Sequence, residues 1–251
     1  GDAATLNDRV LLIGAAGLIG RHVRAALADR PVVATWHHEP APDAIPLDVT
    51  DAAAVLRAAR DTRPDAIILA AAEAHVERCE REPQATRLVN VEGARNAAAA
   101  AADVGARLVV FSSEYVFDGS AGPYREDDPT RPINEYGRQK VDIEHIARSL
   151  PRHLVCRTSG VYGWEPAGKN FVCQLLRRLR AGKRFDVPSD QVITPTYAPD
   201  LGAALAHLVH MGAEGVLHVV GPQPMARVEF ARLAARAFGL PEALISPRPT
   251  S

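Results

Sequence analysis

Val10-Leu11-Leu12-Ile13-Gly14-Ala15-Ala16-Gly17-Leu18-Ile19-Gly20 is the stretch whose reading decides the fold. Four apolar residues, too few for a helix, run into glycines spaced G-x-x-G-x-x-G, and a helical pattern opens at Leu18. Glycines at such a turn allow a tight bend and let a pyrophosphate approach the backbone amides at a helix N-terminus, where the helix dipole favours negative charge. A glycine pattern alone is also met in ordinary strand-to-helix turns. Here a strand precedes it, a helix follows, and a second apolar run at 32–35 stands where a βαβ unit needs one. Gly14, Gly17, Leu18, Ile19 and Gly20 are therefore expected to hold the phosphates of a dinucleotide.

The same rhythm continues outward. Short apolar runs at 10–13, 32–35, 66–69, 108–111 and 154–156 read as strands, each bounded by Gly, Asp, Pro or Arg. Between them, 18–29, 51–61, 83–105 and 135–149 read as helices, with Asp51 as an N-cap and Gly105 as a C-terminal stop. Alternation of this kind requires right-handed crossovers and a parallel sheet covered on both faces. After Arg157 the loops lengthen and Pro166, Pro188, Pro195 and Pro199 punctuate the chain. Helical patterns return at 171–181, 201–211 and 227–238, and one more strand is predicted at 216–220. The fold class is thus α/β, a Rossmann-type doubly wound parallel sheet with a small C-terminal lobe. Residues 1–157 form mainly the nucleotide-binding domain, and 158–251 mainly a substrate lobe that returns elements to the main sheet.

Composition agrees with this frame. The 251 residues suffice for one well-buried domain or one with a small appendage, and 47% are apolar with only 5% aromatic, which suits helices packed closely on a parallel sheet. A formal net charge of −1 with interspersed signs argues against a nucleic-acid partner. No apolar run approaches the roughly 18 residues of a membrane span, so a soluble, cytoplasmic protein without a membrane partner is expected. Cys79, Cys156 and Cys173 have no metal-ligand spacing and read as reduced thiols, and no metal site is expected. The start, Gly1-Asp2-Ala3-Ala4-Thr5, has neither Met nor a signal pattern and reads as a remnant of cloning.

NAD-preferring sites usually place an acid at the end of the second strand to hold the ribose 2′-hydroxyl. This chain has Thr35-Trp36-His37-His38 there, with Glu39 the first acid. No carboxylate stands ready to repel a 2′-phosphate, and Arg21 adds positive charge, so NADP(H) is the expected cofactor, with NAD(H) also accommodated. His37 and His38 are cofactor candidates, although solvated loop histidines are an equal reading. Asp48 and Val49 are candidates for the adenine, and Ala70, Ala71 and Ala72, after the third predicted strand, supply small residues where backbone meets cofactor.

Tyr136-Gly137-Arg138-Gln139-Lys140 is a Y-x-x-x-K pair on a predicted helix, and residues four apart share one helical face. A free phenol titrates near 10, and a neighbouring ammonium favours its ionised form, so Lys140 is expected to lower the Tyr136 pKa while binding the nicotinamide ribose. Taken alone the pair is as well read as a solvated helix face. Its company decides: Phe111 leads into Ser112-Ser113 at the sheet's C-terminal edge, where open α/β sheets bind ligands. Ser113, Tyr136 and Lys140 then form a candidate catalytic triad, with Ser113 holding a substrate oxygen and Tyr136 donating a proton.

At these residues a resemblance becomes specific. Phe111-Ser112-Ser113-Glu114-Tyr115-Val116-Phe117-Asp118-Gly119 resembles the S-T-D-Y-V-F-D-G signature of dTDP-4-dehydrorhamnose reductases, a branch of the extended short-chain dehydrogenases. Pro132-Ile133-Asn134-Glu135-Tyr136-Gly137-Arg138-Gln139-Lys140 resembles their P-L-N-x-Y-G-x-x-K. Arg157-Thr158-Ser159-Gly160-Val161-Tyr162-Gly163, Gly168-Lys169-Asn170-Phe171-Val172, Asp190-Gln191 with Pro195-Thr196, and the segment from Ala74 to Glu80 ahead of Asn90-Val91 are further matches. The resemblance spans nearly the whole chain. It implies NAD(P)H-dependent reduction of the 4-keto group of a nucleotide-linked 6-deoxysugar, with Ser113, Tyr136 and Lys140 catalytic. It places Val76, Glu77, Ser113, Tyr115 and Asn170 against the substrate, and a homodimer is a possible assembly.

Departures from the family pattern are Ser113 for Thr and Glu114 for Asp, which keep the functional groups, and Gly160 for Trp, which removes a wall of the sugar pocket. The chain also ends at Pro247-Arg248-Pro249-Thr250-Ser251, where relatives carry further substrate-lobe residues. Two alternatives stay open. A sugar-nucleotide epimerase or dehydratase shares the fold, although a dehydratase would carry T-D-E where Ser113-Glu114-Tyr115 stand. The beta regulatory subunit of methionine adenosyltransferase has closely similar Y-V-F-D-G and Y-G-x-x-K motifs, and implies an NADP-binding protein that acts on a partner enzyme.

Overall fold

The computed structural model describes residues 9–250. The expected cloning remnant at Gly1–Thr5 lies outside the described residues. The chain forms two compact units, one made of the residues up to Thr158 together with Gly202–Val219, the other of Ser159–Leu201 and Val220 onward.

In the first unit, strands β1 (Val10–Ile13), β2 (Val32–Trp36), β3 (Ala44–Pro46), β4 (Ala66–Leu69), β5 (Arg107–Ser113), β6 (His153–Thr158) and β11 (Gly215–His218) form one sheet in the order β11-β6-β5-β4-β1-β2-β3. Every pairing is parallel. The sheet is a Rossmann-type α/β fold: strand order reverses beside β1, and the crossovers are helices α1 (Leu18–Ala26), α2 (Ala52–Thr62), α3 (Val76–Arg81), α4 (Pro83–Arg87), α5 (Gly93–Val104) and α6 (Glu135–Arg148). The apolar runs make the sheet because they are buried on both faces: all of β1, β4 and β5 is buried. α2 begins where the Asp51 carboxylate accepts from the Ala54 amide at 2.9 Å. α5 ends where Gly105 turns left-handed at φ +70°. Its alanines at 94, 97, 98, 100 and 101 are buried in the main core, short enough for helix to lie close on sheet.

Two readings of this unit change. β3 was hidden in sequence because it is three residues long and ends on Pro46, which only an edge strand tolerates. The helix expected over 83–105 is broken by a π-helical turn at Leu88–Glu92. Beyond that turn, Gly93 packs so closely on Val49 that a Cβ would lie 2.9 Å from Val49 Cγ1. π-turns shift the facing of the side chains after them and recur at functional sites.

The second unit contains β7 (Val161–Tyr162), α7 (Phe171–Arg180), β8 (Phe185–Pro188), β9 (Val192–Ile193), β10 (Thr196–Tyr197), β12 (Met225–Ala226), α9 (Arg227–Ala237) and β13 (Ile245–Arg248); α8 (Ala198–His210) begins here and continues into the first. Leu175 and Leu179 of α7 and Val228, Ala231 and Ala235 of α9 form its core with Val187 and Ile245. Its strand pairs β7–β10 and β9–β12 are only two residues long, and β8–β13 joins strands that each carry a proline and a charged residue, so none shows as an apolar run in sequence.

Candidate active site

The glycine turn divides its labour. Gly14 lies at φ +93°, and a Cβ there would stand 2.5 Å from the Ala71 amide nitrogen; one on Gly20 would stand 2.0 Å from the Gly14 carbonyl oxygen. These two let protein backbones meet. A Cβ on exposed Gly17 would meet only the Gly14 oxygen, at 3.9 Å. Gly17 is also the N-cap of α1, and no side chain caps that helix. Open space before amides without a side-chain cap is what a pyrophosphate requires, so the turn fits a dinucleotide. Leu18 and Ile19 form the first turn. The turn is held by Thr35, whose carbonyl accepts from Ala15 at 2.7 Å and whose hydroxyl accepts from Gly14 at 3.3 Å.

Around it lie the other cofactor candidates. Ala70 and Ala71 donate their amides to the Ile13 carbonyl, which carries the chain past Gly14 into Ala72. His37 and His38 are exposed, with ring centroids 3.9 Å apart, and His37 Nε2 stands 3.5 Å from Asp48 Oδ2. Burial opposes the charge of Asp48, but the Thr50 amide and hydroxyl, with His37, hold its carboxyl below the ordinary range. Val49 is buried in the core and its carbonyl accepts from Asn96 at 2.9 Å, so any contribution it makes to a ligand runs through backbone or a small apolar edge.

The catalytic candidates meet at the exit of β5. Asn134 caps α6 by accepting from the Gly137 amide at 2.8 Å. Gly137 is required there: a Cβ would lie 2.1 Å from the Tyr115 carbonyl oxygen, so only glycine lets α6 press against the single 3-10 turn Glu114–Val116. That approach brings Tyr136 beside Ser113, whose hydroxyl favours the ionised phenol, and sets the Tyr115 and Tyr136 rings edge to face at 5.6 Å. Ser113 also donates to Glu114 Oε2 at 2.7 Å. Lys140 Nζ donates to the Phe111 carbonyl at 3.0 Å and lies 5.4 Å from the Tyr136 ring centroid.

The electrostatics differ from the sequence expectation. Burial, aided by the Glu114 charge, raises the Tyr136 pKa above its free value, and outweighs the opposing Ser113 bond. Burial also lowers Lys140 to about 8, against the pull of Cys79 and Glu144. The protein alone therefore keeps the phenol protonated: burial, with the Glu114 charge, sets the direction for Tyr136, and the expected lowering by Lys140 does not.

Val76 and Glu77 open α3, while Tyr115 is half-buried beside Tyr136. Asn170 belongs to the second unit, where it caps α7 by accepting from Cys173 and donates to the Gly163 carbonyl at 2.8 Å. Gly160, also there, sits at φ +50°, where a Cβ would lie 3.1 Å from Ile193 Cδ1. That conformation gives a physical reason for the absence of a tryptophan.

Sequence reasoning missed a buried amide network behind the triad. Gln139, fully buried, donates to Thr86 Oγ1 at 2.9 Å and accepts from Asn90 Nδ2 at 2.8 Å. Asn90, in the π-turn, holds both the amide and the carbonyl of Glu73. Helix α6, which carries the catalytic candidates, is thereby tied to the chain that leaves β4. The available signal was Gln139 itself, a polar residue lying between Tyr136 and Lys140 in a helix that packs against the sheet.

Comparison with known proteins shows the family. The family described as RmlD substrate binding domain matches residues 8–251. The dTDP-4-keto-6-deoxy-D-glucose reductase of Streptomyces niveus is 36% identical over 250 residues, covering 98% of this chain and 84% of that protein. Methionine adenosyltransferase 2 subunit beta of Xenopus laevis is 32% identical over 256 residues, covering 98% and 77%. Among solved structures, the dTDP-4-dehydrorhamnose reductase of Bacillus anthracis in complex with NADP aligns with a TM-score of 0.87 at 30% identity, over 97% of this chain and 84% of that one. The chain belongs to the RmlD substrate-binding-domain family, the dTDP-4-dehydrorhamnose reductase-like branch of the extended short-chain dehydrogenases.

Proposed function

We propose that the protein is an NADPH-dependent reductase of the 4-keto group of a nucleotide-linked 6-deoxysugar, working in the cytoplasm as a homodimer. The observation that carries this reading is the union, on one sheet edge, of an open glycine turn with Ser113, Tyr136 and Lys140 at the exit of β5. Gly14, Gly17, Leu18, Ile19, Gly20, His37, His38, Asp48, Val49 and Ala70 to Ala72 hold the cofactor, which when bound supplies the hydride. Tyr136 donates a proton to the carbonyl oxygen, and its raised pKa supports this by keeping the proton in place until an oxyanion draws it. Ser113 exchanges its bond to Glu114 for one to the substrate oxygen. Lys140, charged below about pH 8, supports the phenolate that remains and contacts the ribose. Val76, Glu77, Tyr115 and Asn170 are the substrate contacts by motif. The test is incubation with a dTDP-4-keto-6-deoxyhexose and NADPH, following loss of reduced-cofactor absorbance and identifying the sugar. Absence of turnover with every such ketosugar overturns the reading.

A second reading has its own support in the similarity to methionine adenosyltransferase 2 subunit beta. In that case the protein binds NADP and a partner enzyme, and Tyr136→Phe leaves its activity on the partner unchanged. Co-purification with a synthetase, together with no ketosugar turnover, selects it.

A further inference from the structure

Tyr136, Lys140 and Glu144 stand four residues apart on α6, and each takes one of three successive residues at the exit of β5. Tyr136 meets the Ser113 hydroxyl, Lys140 donates to the Phe111 carbonyl, and Glu144 Oε1 accepts from the Ser112 hydroxyl at 2.5 Å. Glu144 is 2% exposed, and its charge is balanced by Arg157, 4% exposed, through two bonds of 2.8 Å from Nε and Nη2. Arg157 is in register with Ser112 across the β5–β6 pair, so guanidinium and hydroxyl reach the same carboxylate from adjacent strands. Behind it, Arg157 Nη1 donates to the Glu126 carbonyl at 3.1 Å, and the guanidinium lies over the Phe117 ring.

We propose that Glu144, held by Arg157, is a positioning residue for the reduction: it fixes Ser112, and through the next peptide the Ser113 hydroxyl, against Tyr136 and beside Lys140. This rests on the reductase reading above. A buried ion pair is often no more stabilising than apolar residues of the same volume, so stability alone is a poor reason for one here, whereas its directed bonds specify a single strand-exit geometry. Displacement of a reacting group by about 1 Å is costly in rate, and the backbone of Ser113 is set by its strand and the turn after it. The charged and titratable groups facing the Lys140 ammonium are Glu144 and Tyr136 from α6 and Cys79 from α3, with Arg157 of β6 behind Glu144. Removal of the Glu144 charge therefore makes the ammonium easier to deprotonate.

The experiment uses Ser112→Ala, Ser112→Thr and Glu144→Gln in the full chain, with kcat, KM, NADPH affinity, thermal stability and pH profile measured for each. Ser112→Ala is expected to lower kcat about tenfold with KM and NADPH affinity unchanged, and Ser112→Thr to restore it by returning the hydroxyl. In Glu144→Gln the alkaline fall of activity moves to lower pH. A readout independent of turnover is the titration of Lys140 by NMR of lysine-labelled protein, which has only three lysines to resolve, Lys140, Lys169 and Lys183. Its midpoint is expected to drop in Glu144→Gln. If that variant does not fold, Ser112→Ala decides. Wild-type kcat in Ser112→Ala, or an unmoved Lys140 midpoint in folded Glu144→Gln, overturns the proposal. An inactive wild-type protein whose Lys140 midpoint still responds to Glu144 overturns the reductase reading instead.

Discussion

The exits of β5 and β2 lie on the same edge of one parallel sheet and are built in opposite ways. At β5, Phe111, Ser112 and Ser113 are buried, and Lys140, Glu144 and Tyr136 each hold one of them from a single helix. At β2, His37 and His38 are exposed, with their rings tilted by 42° and centroids 3.9 Å apart, and His37 meets Asp48 at 3.5 Å across a half-exposed contact. Buried, mutually constraining bonds specify one geometry, whereas exposed charges are screened and leave side chains adaptable. On the function proposed above, the difference teaches where each property would reside: proton chemistry is preorganised by burial, and cofactor choice is left to residues that cost little to change.

The comparison breaks most sharply at Tyr136. Tyr136→Phe keeps the packing and removes the proton, so turnover should fall about 10²-fold or more while the protein folds and binds NADPH. An active variant excludes Tyr136 as the acid. Ser113→Ala should cost roughly 10² in turnover with cofactor affinity intact, and Ser113→Thr should retain most activity; steady-state kinetics separate the two.

Lys140 tests what burial costs. Its pKa in the folded protein, about 8, lies below the unfolded value near 10.5, so charging it opposes folding fully below pH 8, and the penalty fades as pH rises toward 10.5. A depression of that size is worth about 3 kcal/mol. Lys140→Met should therefore lose activity yet gain up to about that much stability at neutral pH, less the lost bond to Phe111, with the gain vanishing in alkali; denaturant unfolding at several pH values measures it. The same ionisation should make wild-type ketoreduction decline above about pH 8.

At β2 the effects should be smaller. NADPH is expected to bind at least as well as NADH, and His37→Asp should shift the ratio of their affinities toward NADH by about tenfold, near 1.4 kcal/mol, with turnover in saturating cofactor unchanged. Isothermal titration with both dinucleotides reads this directly. Of similar size, Gly160→Trp should destabilise the protein by about 1–2 kcal/mol, because φ +50° and the nearby Ile193 side chain oppose any side chain there.

The sequence by itself determined the parallel sheet and the glycine turn, and singled out Ser113, Tyr136 and Lys140 as candidates, because apolar runs, a glycine spacing and a four-residue helical repeat are local patterns. It also showed the missing acid after β2. Tertiary structure alone decided the π-turn that aims Asn90 at Gln139, the edge strand ending on Pro46, and the short strand pairs of the second unit. It decided too that Glu144 and Arg157, thirteen positions apart in sequence, share one buried site with Ser112. The direction of the Tyr136 and Lys140 shifts belongs to the same class. A residue's partners across the sheet and the water it loses on burial are set by chain segments distant in sequence, and no local pattern carries them.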